Sequence, residues 1–395
     1  MIKKNNIISV EYRYNPKNSM SVDWYIGRRC NYDCSYCSAF LHDNKSPHMN
    51  IEVMKNFVDV VYNKFEKNVL WSLTGGEPTV HPKFHELIEY IKIKKGCEHL
   101  SITTNGSIPV SKFLEYYEIL DSITFSLHFE YIHDKIEEYY EKVIKLEEFR
   151  LRHNEKSNNY KNLIVRFMVL NKYFDKIMYF YDKIKGKINT IELRYIRLPA
   201  IEERTKPKQI NFIQNYHKIK SRNNEIYEKI KDFEFEVKDN KEIIVTSEDY
   251  QNDQIKEDNI IYTEEQKAEI NKKYNEIPED QKKLNVFYEE NGEIKKTNMH
   301  YNYFCFNRYN NFKNWLCYAG SRHIKIDPDG NIFVGSCHFG GKLGNIKNGD
   351  IRILDYPIRC KRNKCTDNLD LKILKIKDWK YSEIVERMKN ECSQI

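Results

Sequence analysis

Three of the ten cysteines stand within eight residues, in CNYDCSYC, as Cys30, Cys34 and Cys37. Thiols clustered in this way bind metal or do redox chemistry more often than they pair as disulfides, provided the compartment is reducing. A structural zinc site closes with four ligands, usually as two separated knuckles, and no fourth ligand lies at knuckle spacing here. Three thiolates on one short loop suit a cubane iron–sulfur cluster with one iron left open to an exogenous ligand. An open iron implies chemistry.

A second set lies near the carboxyl end: Cys317, Cys337, Cys360 and Cys365, with Cys305 upstream. Between the first two runs HIKIDPDGNIFV, where Pro328-Asp329-Gly330 is a turn signal and the flanks alternate. That pattern predicts a hairpin of residues 323–326 and 331–334, which brings Cys317 and Cys337 together. Cys360 and Cys365 complete a four-thiolate site for which iron–sulfur and structural zinc are both acceptable, and a site using Cys305 is a further alternative. Cys97 and Cys392 read as structural thiols.

The elements that must position these thiols alternate between strand and helix periods. Strands are predicted at 21–27, 69–74, 100–104, 123–127, 163–170 and 191–196. Between the first two, Ile51, Met54, Phe57, Val58, Val61, Tyr62 and Phe65 form the stripe of a helix lying on a sheet. Shorter stripes recur at Phe84, Leu87, Ile88 and Ile91, and at Phe113, Leu114, Tyr117 and Leu120. Such alternation argues for an α/β fold with a parallel sheet, whose ligands sit at the carboxyl ends of the strands.

With Tyr36 just before its third cysteine, CNYDCSYC resembles the signature of the radical S-adenosylmethionine (SAM) superfamily. The resemblance implies a partial (β/α)6 TIM-like barrel, a [4Fe-4S] cluster on Cys30, Cys34 and Cys37, and SAM on the open iron. Reductive cleavage of SAM then yields a 5′-deoxyadenosyl radical that abstracts a substrate hydrogen. The segment Gly75-Gly76-Glu77-Pro78 is similar to the family's hold on the SAM amino group, since glycines admit close backbone approach and a carboxylate suits an ammonium. By itself it is also an ordinary turn. Thr104-Asn105-Gly106 resembles the family's pocket-lining TNG, or a plain strand-ending turn. Ser126 matches the family residue that reaches the ribose or carboxylate of SAM. An acidic residue often stands two positions later in the family, whereas this chain has His128, which either bonds the ribose or is a satisfied histidine at a helix start. Arg166 is either a SAM-carboxylate contact or solvent-facing. Arg194 and Arg197 bracket the last strand, and a cationic mouth would suit an anionic substrate.

The second cysteine set, with its DPDG hairpin and the Gly344-Asn345-Ile346 that follows, resembles the SPASM extension in its truncated Twitch form. This implies one auxiliary [4Fe-4S] cluster. The gap from Gly330 to Cys337 is longer than the family's. Residues 201–304 match nothing known. FEFEV and EIIV flank a turn, NVFY and EIKK flank another, and Thr263-Glu264-Glu265-Gln266 is a capping-box start. This charged α+β insertion reads as a solvated appendage or as a lid that shields the radical. The expected organisation is a barrel over 1–200, the insertion over 201–304, a small cysteine-rich extension over 305–370 and a terminal helix over 371–395 carrying Ile376, Trp379, Ile384, Val385 and Met388.

Composition narrows the class. The 395 residues are 40% apolar and 31% charged, with 24 Gly plus Pro, which excludes wholesale disorder. Net charge of +7 tolerates anionic substrates without demanding them. No stretch is apolar enough to span a membrane and no signal peptide precedes the first strand, so a cytoplasmic location is expected. A noncatalytic zinc or nucleic-acid-binding protein is the contrasting reading, but no basic stripe with interleaved aromatics supports nucleic acid. The expected partners are a small-molecule or peptide substrate and an electron donor such as flavodoxin or ferredoxin. Relatives with single auxiliary sites act on small alcohols or carbohydrates, and the 20 or so residues before the first strand are short for a leader-peptide recognition domain.

Overall fold

The computed structural model describes residues 2–13, 19–37, 41–65, 68–196, 235–239, 241–245, 262–337, 339–363, 365, 368–383 and 385. After an N-terminal strand β1 (Ile7–Tyr12), strands and helices alternate. The order is β2 (Ser19–Tyr25), α1 (Ile51–Lys64), β3 (Asn68–Thr74), α2 (Phe84–Lys92), β4 (Cys97–Thr104), α3 (Val110–Ile119) and β5 (Ser122–Leu127). It continues with α4 (Phe129–Ile132), α5 (Ile136–Lys156), β6 (Asn162–Val169), α6 (Phe174–Ile184) and β7 (Thr190–Tyr195). All six barrel strands expected from the sequence form, within a few residues of their expected ends.

Alternation explains the layering. In β3, Val69, Trp71 and Leu73 are buried against the helices, while Leu70, Ser72 and Thr74 lie on the other face. Helix α1 starts at an Asn50 cap and buries Met54, Phe57, Val58 and Val61, so the predicted stripe meets the sheet. Each neighbouring pair from β2 to β7 is parallel, as helical crossovers require. Among the described residues the barrel does not close: β7 is an edge of its sheet.

The other edge is extended from the far end of the chain. Strand β13 (His323–Ile326) pairs in parallel with β2, setting His323 opposite Ser21 and Lys325 opposite Asp23. It turns through Pro328-Asp329-Gly330 into β14 (Asn331–Phe333), the predicted hairpin, and β15 (Lys342–Asn345) and β16 (Asp350–Ile351) follow. Asp327 closes the turn by accepting the amides of Asp329 and Asn331. Gly330 adopts φ +85°, and a Cβ there would fall 2.7 Å from Ile346 Cγ1.

A second sheet runs β11-β10-β1-β18-β12-β17-β9-β8. Its members are β8 (Phe235–Lys238), β9 (Glu242–Val245), β10 (Leu284–Glu290), β11 (Glu293–Met299), β12 (Leu316–Cys317), β17 (Ile358–Arg359) and β18 (Lys375–Ile376). Both hairpins expected inside 201–304 are present, as is the Thr263 capping box on helix Glu264–Asn275. They do not stand apart: β10 pairs with β1 and β9 with β17, tying this segment to both ends of the chain. Residues 197–234, 240 and 246–261 are outside the described residues, and with them Arg197 and much of the expected lid. The tail departs from the expected helix at its start. Ile376 is claimed by β18, which fills the gap between β1 and β12, while Trp379 opens a short 3-10 turn and Val385 packs on Ile8 and Phe287. Ile384 and Met388 lie outside the described residues.

Candidate functional site

The cysteine loop leaves the carboxyl end of β2 and is held from three sides. Asn31 accepts from Asn105 Nδ2 at 2.9 Å and donates to Ser107 Oγ, which fastens the loop to the end of β4. Glu130 accepts the Ser35 amide at 2.8 Å and Tyr131 OH accepts that of Asp33, which fastens it to α4. The Tyr32 ring stacks on Tyr131 with centroids 4.1 Å apart, and its hydroxyl lies 2.7 Å from that of Tyr139.

Cys30 and Cys34 are buried and Cys37 is partly exposed. Burial pushes the Cys30 thiol up to about 11, and Cys34 rises further under burial and the neighbouring Cys37, Glu130 and Cys30. The three sulfurs therefore form one electrostatic group. The Tyr32 amide donates to Cys30 Sγ at 3.3 Å, and His128 Nδ1 lies 3.3 Å from Cys34 Sγ. Among the described residues no three His, Cys, Asp or Glu side chains converge on a single ion.

His128 packs on the cysteine loop. Its Nδ1 lies 2.7 Å from Tyr36 OH and its ring stacks on that of Tyr36. Burial, with Arg166 and His42 adding, pushes its pKa down to about 4, so the imidazole is neutral at pH 7. Tyr36, buried against Cys34, keeps its proton and donates it.

Gly75 and Gly76 serve close approach, and the partner they approach is the protein's own backbone. The Gly76 amide donates to Gly27 O and the Glu77 amide to Arg29 O, both at 2.9 Å. A Cβ on Gly76 would stand 2.2 Å from Arg28 O, and one on Gly75 2.7 Å from Gly27 O. Glu77 is buried behind this junction, ahead of Pro78, which opens a 3-10 turn. Its Oε1 accepts from Thr79 N, Thr79 Oγ1 and Thr104 Oγ1, and its Oε2 from Asn105 N at 2.6 Å. Burial nevertheless raises its pKa above the ordinary carboxyl value. With four donors taken, Glu77 is first a clasp between the ends of β3 and β4, with one Oε2 lone pair to spare. Gly106 completes the β4 turn at φ +75°, where a Cβ would meet the Phe125 ring at 2.2 Å.

The register of β5, β6 and β7 aligns Ser126, Arg166 and Glu192 in one row. Arg166 is paired within the sheet: its Nε donates to Glu192 Oε2 at 2.9 Å. Tyr301 stands against both members of the pair. Burial opposes the Glu192 charge, but Arg166, His300 and Tyr301 overcome it and hold the carboxyl at about 2. Sequence reasoning missed Glu192, although a charged residue at an alternate position beside Arg166 was a usable signal. Nothing local in the sequence pointed to Tyr301 or Glu130.

The members of the second cysteine set act on one another electrostatically. Cys317 ends β12, Cys337 follows the β13–β14 hairpin, and Cys360 and Cys365 follow β17. Cys337 feels Cys360 and Cys317, and Cys365 feels Cys337 and Cys317. Asn310 fixes the Cys365 backbone from both sides, and Asp370 accepts the Ser336 and Cys337 amides at 2.9 and 3.0 Å. Cys305 is packed in the hydrophobic core within helix Tyr301–Phe306.

Residues 24–183 match the family model described as Radical SAM superfamily. Residues 24–183 of the chain therefore carry a radical SAM domain. Members of that superfamily use a [4Fe-4S] cluster and SAM. A 111-residue segment is 33% identical to the S-adenosylmethionine-dependent nucleotide dehydratase RSAD2 of Danio rerio, covering 27% of this chain and 30% of that protein. Another of 131 residues is 30% identical to the mitochondrial GTP 3',8-cyclase of Arabidopsis thaliana, covering 29% and 32%. The matches thus span under a third of either relative's length. Among solved structures, native anSMEcpe with bound AdoMet superposes with a TM-score of 0.45 at 14% identity, over 84% of this chain and 78% of that one. No helix of the described residues is long and apolar enough to cross a membrane.

Proposed function

We propose that this radical SAM protein is an oxidoreductase that abstracts hydrogen from a small hydroxylated substrate and passes the resulting electron to a second, auxiliary [4Fe-4S] cluster. When bound, the first cluster and SAM supply a 5′-deoxyadenosyl radical; the chain's own residues bind, orient and exclude water. Cys30, Cys34 and Cys37 would hold the first cluster, with His128 and Asn105 as neighbours of its sulfurs. Ser126 and the spare capacity of Glu77 and Asn105 would orient SAM. Cys317, Cys337, Cys360 and Cys365 would hold the second cluster. Electrons would enter from a flavodoxin or ferredoxin.

The observation that supports the reading is that four thiols lie within electrostatic reach of one another, behind a hairpin whose strand continues the barrel sheet beside β2. A hydroxylated substrate is supported by the inner row of the sheet, where Asp23, Ser72 and Ser101 stand in register. Thr124, Ser126, Arg166 and Glu192 continue that polar lining. Such a lining rewards a ligand that returns hydrogen bonds.

The test is anaerobic purification with iron, sulfide and zinc quantified, followed by reduction with SAM in wild type and in Cys34→Ala. About eight irons per chain and 5′-deoxyadenosine that disappears in the variant are expected. About four irons plus one zinc would remove the auxiliary acceptor while keeping the radical chemistry. Zinc with no SAM cleavage would overturn the reading. Turnover of a defined peptide with none of sugar alcohols would overturn the substrate class.

A further inference from the structure

A buried lysine stands among the carboxyl-terminal thiols. Lys375 is the register partner of Cys317 across the β12–β18 pair, and it is 2% exposed. Its Nζ donates to Asp370 O, and to Ile373 O at 3.2 Å, which uses two of its three protons. The Phe312 ring lies 5.3 Å away on an apolar flank. The charge of Lys375 acts on Cys317, Cys360 and Cys365. Arg362 is the other cation acting on the set, and Asp370 the carboxylate. Two cations against one carboxylate leave a net positive surround. A buried ammonium is costly unless something compensates it, and two carbonyls and one carboxylate, itself spent on the Ser336 and Cys337 amides, are a thin compensation.

Resting on the auxiliary-cluster reading above, we propose that Lys375 is a positioning residue that sets the reduction potential of the cluster on Cys317, Cys337, Cys360 and Cys365. A cluster bound by four thiolates is anionic and gains one further negative charge on one-electron reduction, so a fixed cation at its edge favours the reduced form. The electron comes from the substrate radical in turnover, or from dithionite in a titration. Lys375 thereby makes the cluster a better electron acceptor.

The experiment is an EPR-monitored potentiometric titration of the full chain carrying Cys30→Ala, Cys34→Ala and Cys37→Ala, so that only the carboxyl-terminal set can hold iron. Lys375→Met and Lys375→Gln are compared with Lys375→Arg and with the parent. The expected result is unchanged iron and sulfide, a reduction equilibrium at least about tenfold less favourable in the neutral variants, which is about 59 mV for one electron, and recovery in Lys375→Arg. An unchanged midpoint in an iron-loaded neutral variant overturns the proposal. Loss of the cluster in both neutral variants, with native circular dichroism, also overturns it, in favour of an assembly role. Zinc without iron in the parent sinks the auxiliary-cluster reading itself, an outcome distinct from either.

Discussion

Glu77 lends itself to a test that separates a structural clasp from a ligand contact, because the two roles respond to different measurements. In Glu77→Gln the side-chain carbonyl keeps the three bonds now made to Oε1, from Thr79 N, Thr79 Oγ1 and Thr104 Oγ1. The new amide nitrogen must then face the Asn105 N–H, which now donates to Oε2 at 2.6 Å. A charge-assisted bond is replaced by two opposed donors in a buried site. Losing such a bond costs roughly 1.5–3 kcal/mol, and an unsatisfied buried donor about 1–3 more, so about 3–4 kcal/mol is expected. That is a large share of the roughly 5–15 kcal/mol that keeps a domain folded. Urea unfolding of the apoprotein, without iron or SAM, should show this loss in full. A variant whose apoprotein is as stable as wild type, and which loses only SAM binding, would refute the clasp.

Gly76→Ala places a methyl 2.2 Å from Arg28 O and 2.4 Å from Arg29 O, both backbone atoms that cannot rotate away. Overpacking of about 1–3 kcal/mol plus two strained junction hydrogen bonds should destabilise the apoprotein by about 3 kcal/mol and lower iron loading, read by urea unfolding and iron content. Glu192→Gln leaves Arg166 buried without its counter-charge and should cost about 3–5 kcal/mol, while Arg166→Met with Glu192→Leu should recover much of it; a single variant that costs nothing would refute the pair's burial. His300 is pushed by burial from 6.5 to about 4, against the pull of Glu192. Its folded pKa lies below its unfolded one, so the stability it confers is complete above pH 6.5 and is lost as pH falls through about 4, about 3 kcal/mol in all. Unfolding free energies between pH 6.5 and 4 should therefore fall more steeply in wild type than in His300→Gln.

The barrel was legible because its signals are local. Period-two strands, 3.6-period helices and the Asp329-Gly330 turn each lie within a window of a dozen residues, and each formed where the pattern placed it. The cysteine loop was legible by spacing alone. The tail was not: Ile376 sits on a helical stripe, yet the open edges of β12, dozens of residues away, and of β1, hundreds of residues away, recruit it into a strand. The same blindness hid the partners of the site residues. Arg166 reads as a cation awaiting an anionic ligand until β7 supplies Glu192 and the helix at Tyr301 supplies a hydroxyl. Lys375 reads as one lysine among many until the register sets it opposite Cys317.

The junction between the two cysteine sets shows which forces fix their relation. Arg28, two residues before Cys30, makes a bidentate bond to Asp329 in the hairpin turn at 2.5 and 2.6 Å. Its partners are 23% and 44% exposed, and an ion pair so wetted contributes about 1 kcal/mol at most. The parallel pairing of β13 with β2 contributes more. It buries Ile324 and Ile326 beside Val22 and Trp24, and it puts Lys325 between the two sets, in register with Asp23 and 2.7 Å from the hydroxyl of Ser336, the neighbour of Cys337. A slip of one residue would turn the two isoleucines out of the core. The register of one short strand therefore holds the carboxyl-terminal thiols in a fixed relation to the loop that leaves β2. Asp329→Ala should leave that relation intact, whereas Ile324→Lys should abolish it.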